Sequence, residues 1–278
     1  MTQELSTVLE LREQVSAWRR SGETLALVPT MGALHNGHIS LVTHAQKLAR
    51  RVIVSIFVNP TQFAPHEDLS KYPRPLAADV ARLKAAGVDA VFNPHVAEMY
   101  GSGFCTTVSL GGPAKVGLED AFRPTHFSGV ATVVTKLLVQ GQPDFALFGE
   151  KDYQQLAVVR QMVQDLDIPV QIVGGPTLRE PDGLAMSSRN VFLNHADRKI
   201  APEIFKVMNW CKAEFKLSPI EAVLASGRAK LEAVGFRPDY LELRDARSLA
   251  RVESLEAPAR LLFAGKLGTT RLIDNIAV

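Results

Sequence analysis

Leu25-Ala26-Leu27-Val28-Pro29-Thr30-Met31-Gly32-Ala33-Leu34-His35-Asn36-Gly37-His38 decides how this chain is read. Four apolar residues in succession suit a strand buried on both faces, the kind found inside a parallel sheet. Pro29 and the glycines then end the strand, and the polar-apolar spacing that resumes near Gly37 starts a helix. A strand-to-helix turn of this kind aims unpaired main-chain N–H groups and the positive end of a helix dipole at one point, where an anion is stabilised. Gly32 and Gly37 let the backbone come close to a ligand, and His35 and His38 add donors that can follow charge building on a phosphate. The plainer alternative is an ordinary turn with two surface histidines, so the rest of the chain has to decide.

The pattern continues outward. Short apolar runs at Leu25–Val28, Val52–Val58, Ala90–Asn93, Phe145–Phe148 and Val170–Val173 alternate with helical periods such as Val130, Val133, Val134, Leu137 and Leu138, while Val80, Leu83 and Lys84 begin another stripe. This rhythm predicts an α/β fold with a Rossmann-like, doubly wound parallel sheet. Ligands of such sheets sit beyond the carboxyl ends of the strands, and the segments 29–38, 57–63 and 148–155 each follow a predicted strand. After Gly174-Gly175-Pro176 the texture changes to helical stretches over 196–215 and 220–234, then short strands near Tyr240–Leu243, Arg260–Phe263 and Thr270–Ile276. We therefore expect a nucleotide-binding domain over 1–177 and a smaller α+β domain over 178–278 that serves as a lid. The loop Met186-Ser187-Ser188-Arg189 would lie close to the hinge.

Composition bounds the function. With 278 residues, 46% hydrophobic, and a mean hydropathy of +0.05, the chain reads as a globular protein with ample core. No segment has the apolar length of a membrane span. Met1-Thr2-Gln3-Glu4-Leu5 carries no basic-then-apolar export pattern, which points to the cytoplasm. Cys105 and Cys211 have no C-x-x-C spacing and are expected as buried free thiols. A net charge of +2 without a basic, aromatic-rich cluster argues against a nucleic-acid partner.

His35-Asn36-Gly37-His38 resembles the H-x-G-H signature of the nucleotidyltransferase superfamily, and Met186-Ser187-Ser188-Arg189 resembles that superfamily's second nucleotide-binding loop in the form found in pantothenate synthetases. Alone, Ser187-Ser188-Arg189-Asn190 would be a polar loop with a helix cap. Three more segments resemble pantothenate synthetases: Phe57-Val58-Asn59-Pro60-Thr61-Gln62-Phe63, Arg123-Pro124-Thr125-His126-Phe127-Ser128-Gly129-Val130 and Phe148-Gly149-Glu150-Lys151-Asp152-Tyr153-Gln154-Gln155. Arg271-Leu272-Ile273-Asp274-Asn275 matches the family's ending, so the resemblance spans nearly the whole chain. One mild departure is Pro181, where relatives are often polar.

The resemblance implies ATP-dependent joining of (R)-pantoate and β-alanine through a pantoyl adenylate, with AMP and pyrophosphate released and Mg²⁺ assisting. It implies an ATP site built from Met31, Gly32, Ala33, Leu34, His35, Asn36, Gly37 and His38, from Gly149, Glu150, Lys151 and Asp152, and from Leu178, Met186, Ser187, Ser188 and Arg189. His38, His35, Lys151 and Arg189 are the implied catalytic groups, with His38 as proton donor. Gln62 is implied for pantoate and β-alanine, Gln155 for pantoate, and Asp79 for Mg²⁺, with Arg123, His126 and Asn59 lining the same cleft. Gln154 should point away from Gln155, because adjacent side chains diverge in strand and helix alike. Family members are homodimers, which the resemblance extends to this chain. A related adenylyl- or cytidylyltransferase, or a silent nucleotide-binding module, stays open at this point.

Overall fold

A computed structural model describes residues 2–63, 69–70 and 72–278, leaving Met1 of the opening segment outside the described residues. Helices and strands alternate from the start: β1 (Gln3–Leu5), α1 (Val8–Arg20), β2 (Leu25–Thr30), α2 (Asn36–Leu48), β3 (Arg51–Ile56), α3 (Leu76–Ala85) and β4 (Ala90–Phe92). After two short helices, α4 (Val96–Met99) and α5 (Glu119–Phe122), come α6 (His126–Gly141), β5 (Phe145–Gly149), α7 (Tyr153–Asp165) and β6 (Gln171–Gly175). The six strands form one parallel sheet in the order β1-β4-β3-β2-β5-β6. This is the doubly wound sheet the sequence predicts. β1 was not foreseen: three residues with two of them exposed give no periodic signal.

Alternation along β2 explains why the sheet is covered on both sides. Leu25 and Leu27 pack with Trp18 of α1 and Val130 and Leu137 of α6, while Ala26 and Val28 pack with Leu41 of α2 and Val80 and Leu83 of α3. Each fully buried aliphatic side chain of this kind contributes about 1.5–3 kcal/mol. The sheet order reverses between β2 and β5, so the loops leaving these two strands part there and open a crevice. Those loops carry His35 and His38 on one side and Lys151 on the other.

Beyond β6 lie α8 (His195–Ile200), α9 (Glu203–Glu214) and α10 (Ile220–Ala233), followed by β7 (Phe236–Asp245), β8 (Ala259–Leu267) and β9 (Thr270–Ala277) in one antiparallel sheet. The single helical stretch expected over 196–215 is two helices, because Pro202 lacks the N–H that a continuous helix would need there. One face of this small sheet packs on α9 and α10 through Leu241, Leu261 and Phe263. Its other face, with Tyr240, Leu262 and Ala264, meets Leu118 and Tyr153 of the larger unit. Cys211 is buried as expected, and burial pushes its thiol up to about 11, but Cys105 is exposed because 101–107 runs across the surface.

Candidate active site

The two histidines cap their own helix. His35 precedes α2, and its Nδ1 accepts from Gly37 N at 3.1 Å, while Nδ1 of His38 accepts from His35 N at 3.2 Å. This is the reciprocal capping geometry that Ser and Glu usually provide. Gly37 is required by it: a Cβ there would sit 2.8 Å from the His35 ring. Since each Nδ1 accepts a main-chain N–H, the proton of each neutral ring lies on Nε2. Burial, aided by the charges of Lys151 and Arg82, lowers the His35 pKa to about 4. Burial and then the His35 ring, Lys151 and Arg82 lower His38 to about 3. Both rings are therefore neutral near pH 7, with an Nε2–H each to donate.

Both rings line a cleft of about 210 Å³ at the sheet's reversal point. Of the predicted residues, Met31, Gly37, Gly149, Lys151, Asp152, Leu178, Met186, Ser187, Ser188, Arg189, Gln62 and Gln155 also stand on its wall. Gly32, Ala33, Leu34, Asn36 and Glu150 do not: Leu34 is buried, Asn36 Oδ1 accepts from Arg82, and the Glu150 carboxylate pairs with Arg260 at 3.0 Å. A wider cavity of about 530 Å³ adjoins the cleft, shares Lys151, Asp152, Ser187 and Arg189 with it, and reaches β9.

The serine loop is tied to its surroundings at several points. Ser187 Oγ accepts from Arg189 N at 3.2 Å, Ser188 Oγ lies 3.3 Å from the Tyr72 hydroxyl, and Met186 N donates to Leu178 O at 3.0 Å. Lys151 sits in a 3-10 turn, Glu150–Asp152, which the small domain grips. Asn275 Nδ2 donates to Glu150 O at 2.9 Å and to Lys151 O at 2.8 Å, and Asn275 Oδ1 accepts from Arg260 Nε.

Gln62 is aimed by Asn59. Asn59 Nδ2 donates to Gln62 Oε1 at 2.9 Å and to Gly129 O at 3.1 Å, and Asn59 Oδ1 accepts from Tyr100 Oη at 2.7 Å. The Gln62 oxygen is thereby engaged, and its amide N–H groups are left for the cleft. Asn59 is fully buried with its amide bonded, so it positions Gln62 instead of lining the cleft as expected. Gly129 allows α6 to approach this turn, since a Cβ there would lie 2.3 Å from Thr61 O. Arg123 and His126 also act from behind: Arg123 Nη2 and the His126 ring both reach Gln62 O, at 3.3 and 3.2 Å. Arg123 stands on the adjoining cavities and not on the cleft itself.

Gln154 and Gln155 diverge as the sequence predicts. Gln154 is buried, accepting from Glu119 N and donating to Pro113 O and Asp120, while Gln155 lines the cleft. The apolar wall supplied by Val130, Val133, Val134 and Leu137 of α6 was read from sequence only as core. Nothing in a helical stripe distinguishes residues facing a cleft from residues facing a sheet.

Asp79 takes a different task from the one expected. Its oxygens accept from Ala33 N and Leu34 N, both at 2.8 Å, and it is buried behind the first loop and absent from the cleft wall. Among the described residues no group of three or more His, Cys, Asp or Glu side chains is placed to hold a metal ion. Behind the cleft, buried Glu119 joins the two units. Arg271 of β9 forks onto both its oxygens at 2.7 and 2.8 Å and reaches Asp239 at 2.7 Å, while Tyr240 Oη donates to Glu119 at 2.8 Å. Burial pushes the Glu119 pKa up, but the Arg271 fork, the Tyr240 hydroxyl and the Arg123 charge together outweigh it and bring it to about 2.

Comparison with known proteins agrees along the full length. The chain is 54% identical over 274 residues to a pantothenate synthetase of Rhodopseudomonas palustris, covering 98% of this chain and 97% of that one. It is 55% identical over 277 residues to that of Paramagnetospirillum magneticum, covering 98% and 96%. Its fold matches the pantothenate synthetase of Thermus thermophilus with a TM-score of 0.93 at 47% identity, covering 99% of both chains. A pantoate-beta-alanine ligase from Francisella tularensis, solved with beta-gamma ATP and beta-alanine, matches with a TM-score of 0.85 at 34% identity, covering 99% and 97%. The family model described as pantoate-beta-alanine ligase matches residues 3–277, and the chain belongs to that family.

Proposed function

We propose that this chain joins (R)-pantoate to β-alanine at the expense of ATP, with pantoyl adenylate as the intermediate. The observation that carries this reading is the capped histidine pair, whose two neutral Nε2–H donors face one cleft with Lys151 and Arg189. These groups suit charge building on an α-phosphate. In the first step a pantoate carboxylate oxygen attacks the α-phosphorus, and the bond to the β-phosphate oxygen breaks, so pyrophosphate leaves with the electron pair. His35, His38, Lys151 and Arg189 stabilise that charge. The Gln62 amide donors and the uncommitted Gln155 amide hold the pantoate hydroxyls and carboxylate, and the α6 valines accommodate its two methyl groups. In the second step the amine of β-alanine attacks the acyl carbon, the bond from that carbon to the shared oxygen breaks, and AMP departs. The amine loses a proton as the amide forms.

Mg²⁺ enters this reading with the triphosphate, because that ion usually takes phosphate oxygens with one or two carboxylates and several waters. Among the described residues Asp152 is the carboxylate on the cleft wall, and the ion would lower the charge that the nucleophile meets. We take residues 178–278 to close over the nucleotide and the chain to act as a homodimer in the cytoplasm, as its family resemblance implies. No described helix is long and apolar enough to cross a membrane.

Two label experiments test the reading. Pantoate with heavy oxygen in its carboxylate should pass one labelled atom to AMP, and pantoate without β-alanine should drive exchange of labelled pyrophosphate into ATP. Release of ADP and labelled phosphate would establish an acyl-phosphate route and refute it.

A further inference from the structure

The turn before the histidine cap follows an unfavourable path. Gly32 has φ 82° and Ala33 has φ 51°, so two successive residues occupy the left-handed region, and Ala33 does so with a Cβ. Such a path persists only where its surroundings over-determine it. Here the restraint comes from α3. Asp79, 4% exposed, accepts the N–H groups of Ala33 and Leu34 on its two oxygens. Three residues later on α3, Arg82 donates to Leu34 O at 2.6 Å and to Asn36 Oδ1 at 3.0 Å. A spacing of three puts the acid and the base on one face of the helix. Leu34 is thus held at both its N–H and its C=O, immediately before the residue whose N–H binds the His38 ring.

We propose that Asp79 and Arg82 are positioning residues for the reaction: they form a clamp on the main chain at residues 33–36 that fixes His35 and His38 with Nδ1 committed to the cap and Nε2–H presented to the cleft. The clamp requires an acceptor pair at 79, since both partners are main-chain N–H donors. It also requires a fixed, two-pronged donor at 82, which a guanidinium supplies on two nitrogens, whereas an ammonium has only one nitrogen for both acceptors. The kinetic test rests on the adenylation reading, and the spectroscopic test does not.

The experiment compares Asp79→Asn, Arg82→Lys and Arg82→Met with the unsubstituted protein, by pantoate-dependent pyrophosphate exchange and by long-range ¹H–¹⁵N spectra of labelled histidine. In Asp79→Asn one oxygen becomes an amide group that faces an N–H. The exchange rate should fall about 10- to 100-fold, as for loss of one charge-assisted hydrogen bond, with the pantoate KM within about threefold. The His35 and His38 ring nitrogens should lose the Nε2–H pattern of the unsubstituted protein. Arg82→Lys should keep more activity than Arg82→Met, and since Arg82 is exposed neither change removes a core side chain. A normal exchange rate with unchanged ring spectra in Asp79→Asn would overturn the proposal. So would recovery of the Asp79→Asn rate on raising Mg²⁺ tenfold at fixed ATP, which would make Asp79 a metal carboxylate. Absence of exchange in the unsubstituted protein would strike the adenylation reading instead, and the ring spectra would still decide the clamp.

Discussion

Substitutions at His38 separate its two jobs, because Asn and Gln each reproduce one nitrogen of the ring. Asn presents an oxygen near the position of Nδ1 and can accept from His35 N, while Gln can either present an N–H near the position of Nε2 or turn its oxygen to the cap, as Gln does at this place in a capping box, but cannot do both at once. His38→Asn should therefore keep the start of α2 intact and lose the phosphate donor. Removal of one such donor costs about 10²–10³ in rate, and thermal stability should stay within a degree or two of the parent. His38→Gln should keep the rate within about tenfold only where it gives up a capping bond, worth ~1 kcal/mol. For a chain of this size that is a fall in Tm of roughly 2–4 °C. His38→Ala should show both defects. Initial rates of pyrophosphate exchange at saturating ATP and pantoate, together with thermal unfolding, measure the two effects. A His38→Asn enzyme within threefold of the parent, or a His38→Gln enzyme that keeps both the rate and the stability of the parent, would refute the division of labour between the nitrogens.

Stability should fall steadily on acidification. The unfolded chain binds protons at His35 and His38 from about pH 6.5 downward, while the folded rings resist until about 4 and 3, and Glu119 adds its own loss between about 4.5 and 2. In His35→Asn/His38→Asn the decline between pH 6.5 and 4 should flatten, and Tm measured across that range checks it. Arg271→Met takes the bidentate partner from buried Glu119, leaving it the Tyr240 hydroxyl and Arg123 at 3.9 Å, and should cost about 3 kcal/mol in urea unfolding, whereas loss under about 1 kcal/mol would show the pair to be solvated. Gln62→Ala and Gln155→Ala should each raise the pantoate KM about tenfold, near the value of a single hydrogen bond, with the ATP KM little changed. A larger effect on ATP would place these amides at the nucleotide.

What was legible in the sequence follows from the range of the forces involved. The buried strands announced themselves because both faces are apolar, and the turn after β2 because glycine and histidine have few other uses together. The divergence of Gln154 from Gln155 needed only helix geometry. Asp79 and Asn59 were legible as polar residues but misread in role, because a side chain bonded to distant main-chain groups has no pattern in its own neighbourhood. Glu119 and Arg271 are 152 residues apart, and nothing in either segment names the other. Pro202 is the reverse case: a local helix-ending signal that the expectation of one stretch over 196–215 did not use.

The grip of Asn275 on Lys151 has a consequence for how the protein is made. Its side-chain amide holds two carbonyls of the turn at 150–151, reaching back across 124 residues. A ribosome that has released everything through β6 has therefore delivered both histidines and the lysine, yet the side chains of Arg260 and Asn275 that brace the lysine's turn are still missing. Such a growing chain should fold its large sheet and remain inert. Activity should appear in a step, when residue 275 emerges from the exit tunnel and β9 pairs with β8.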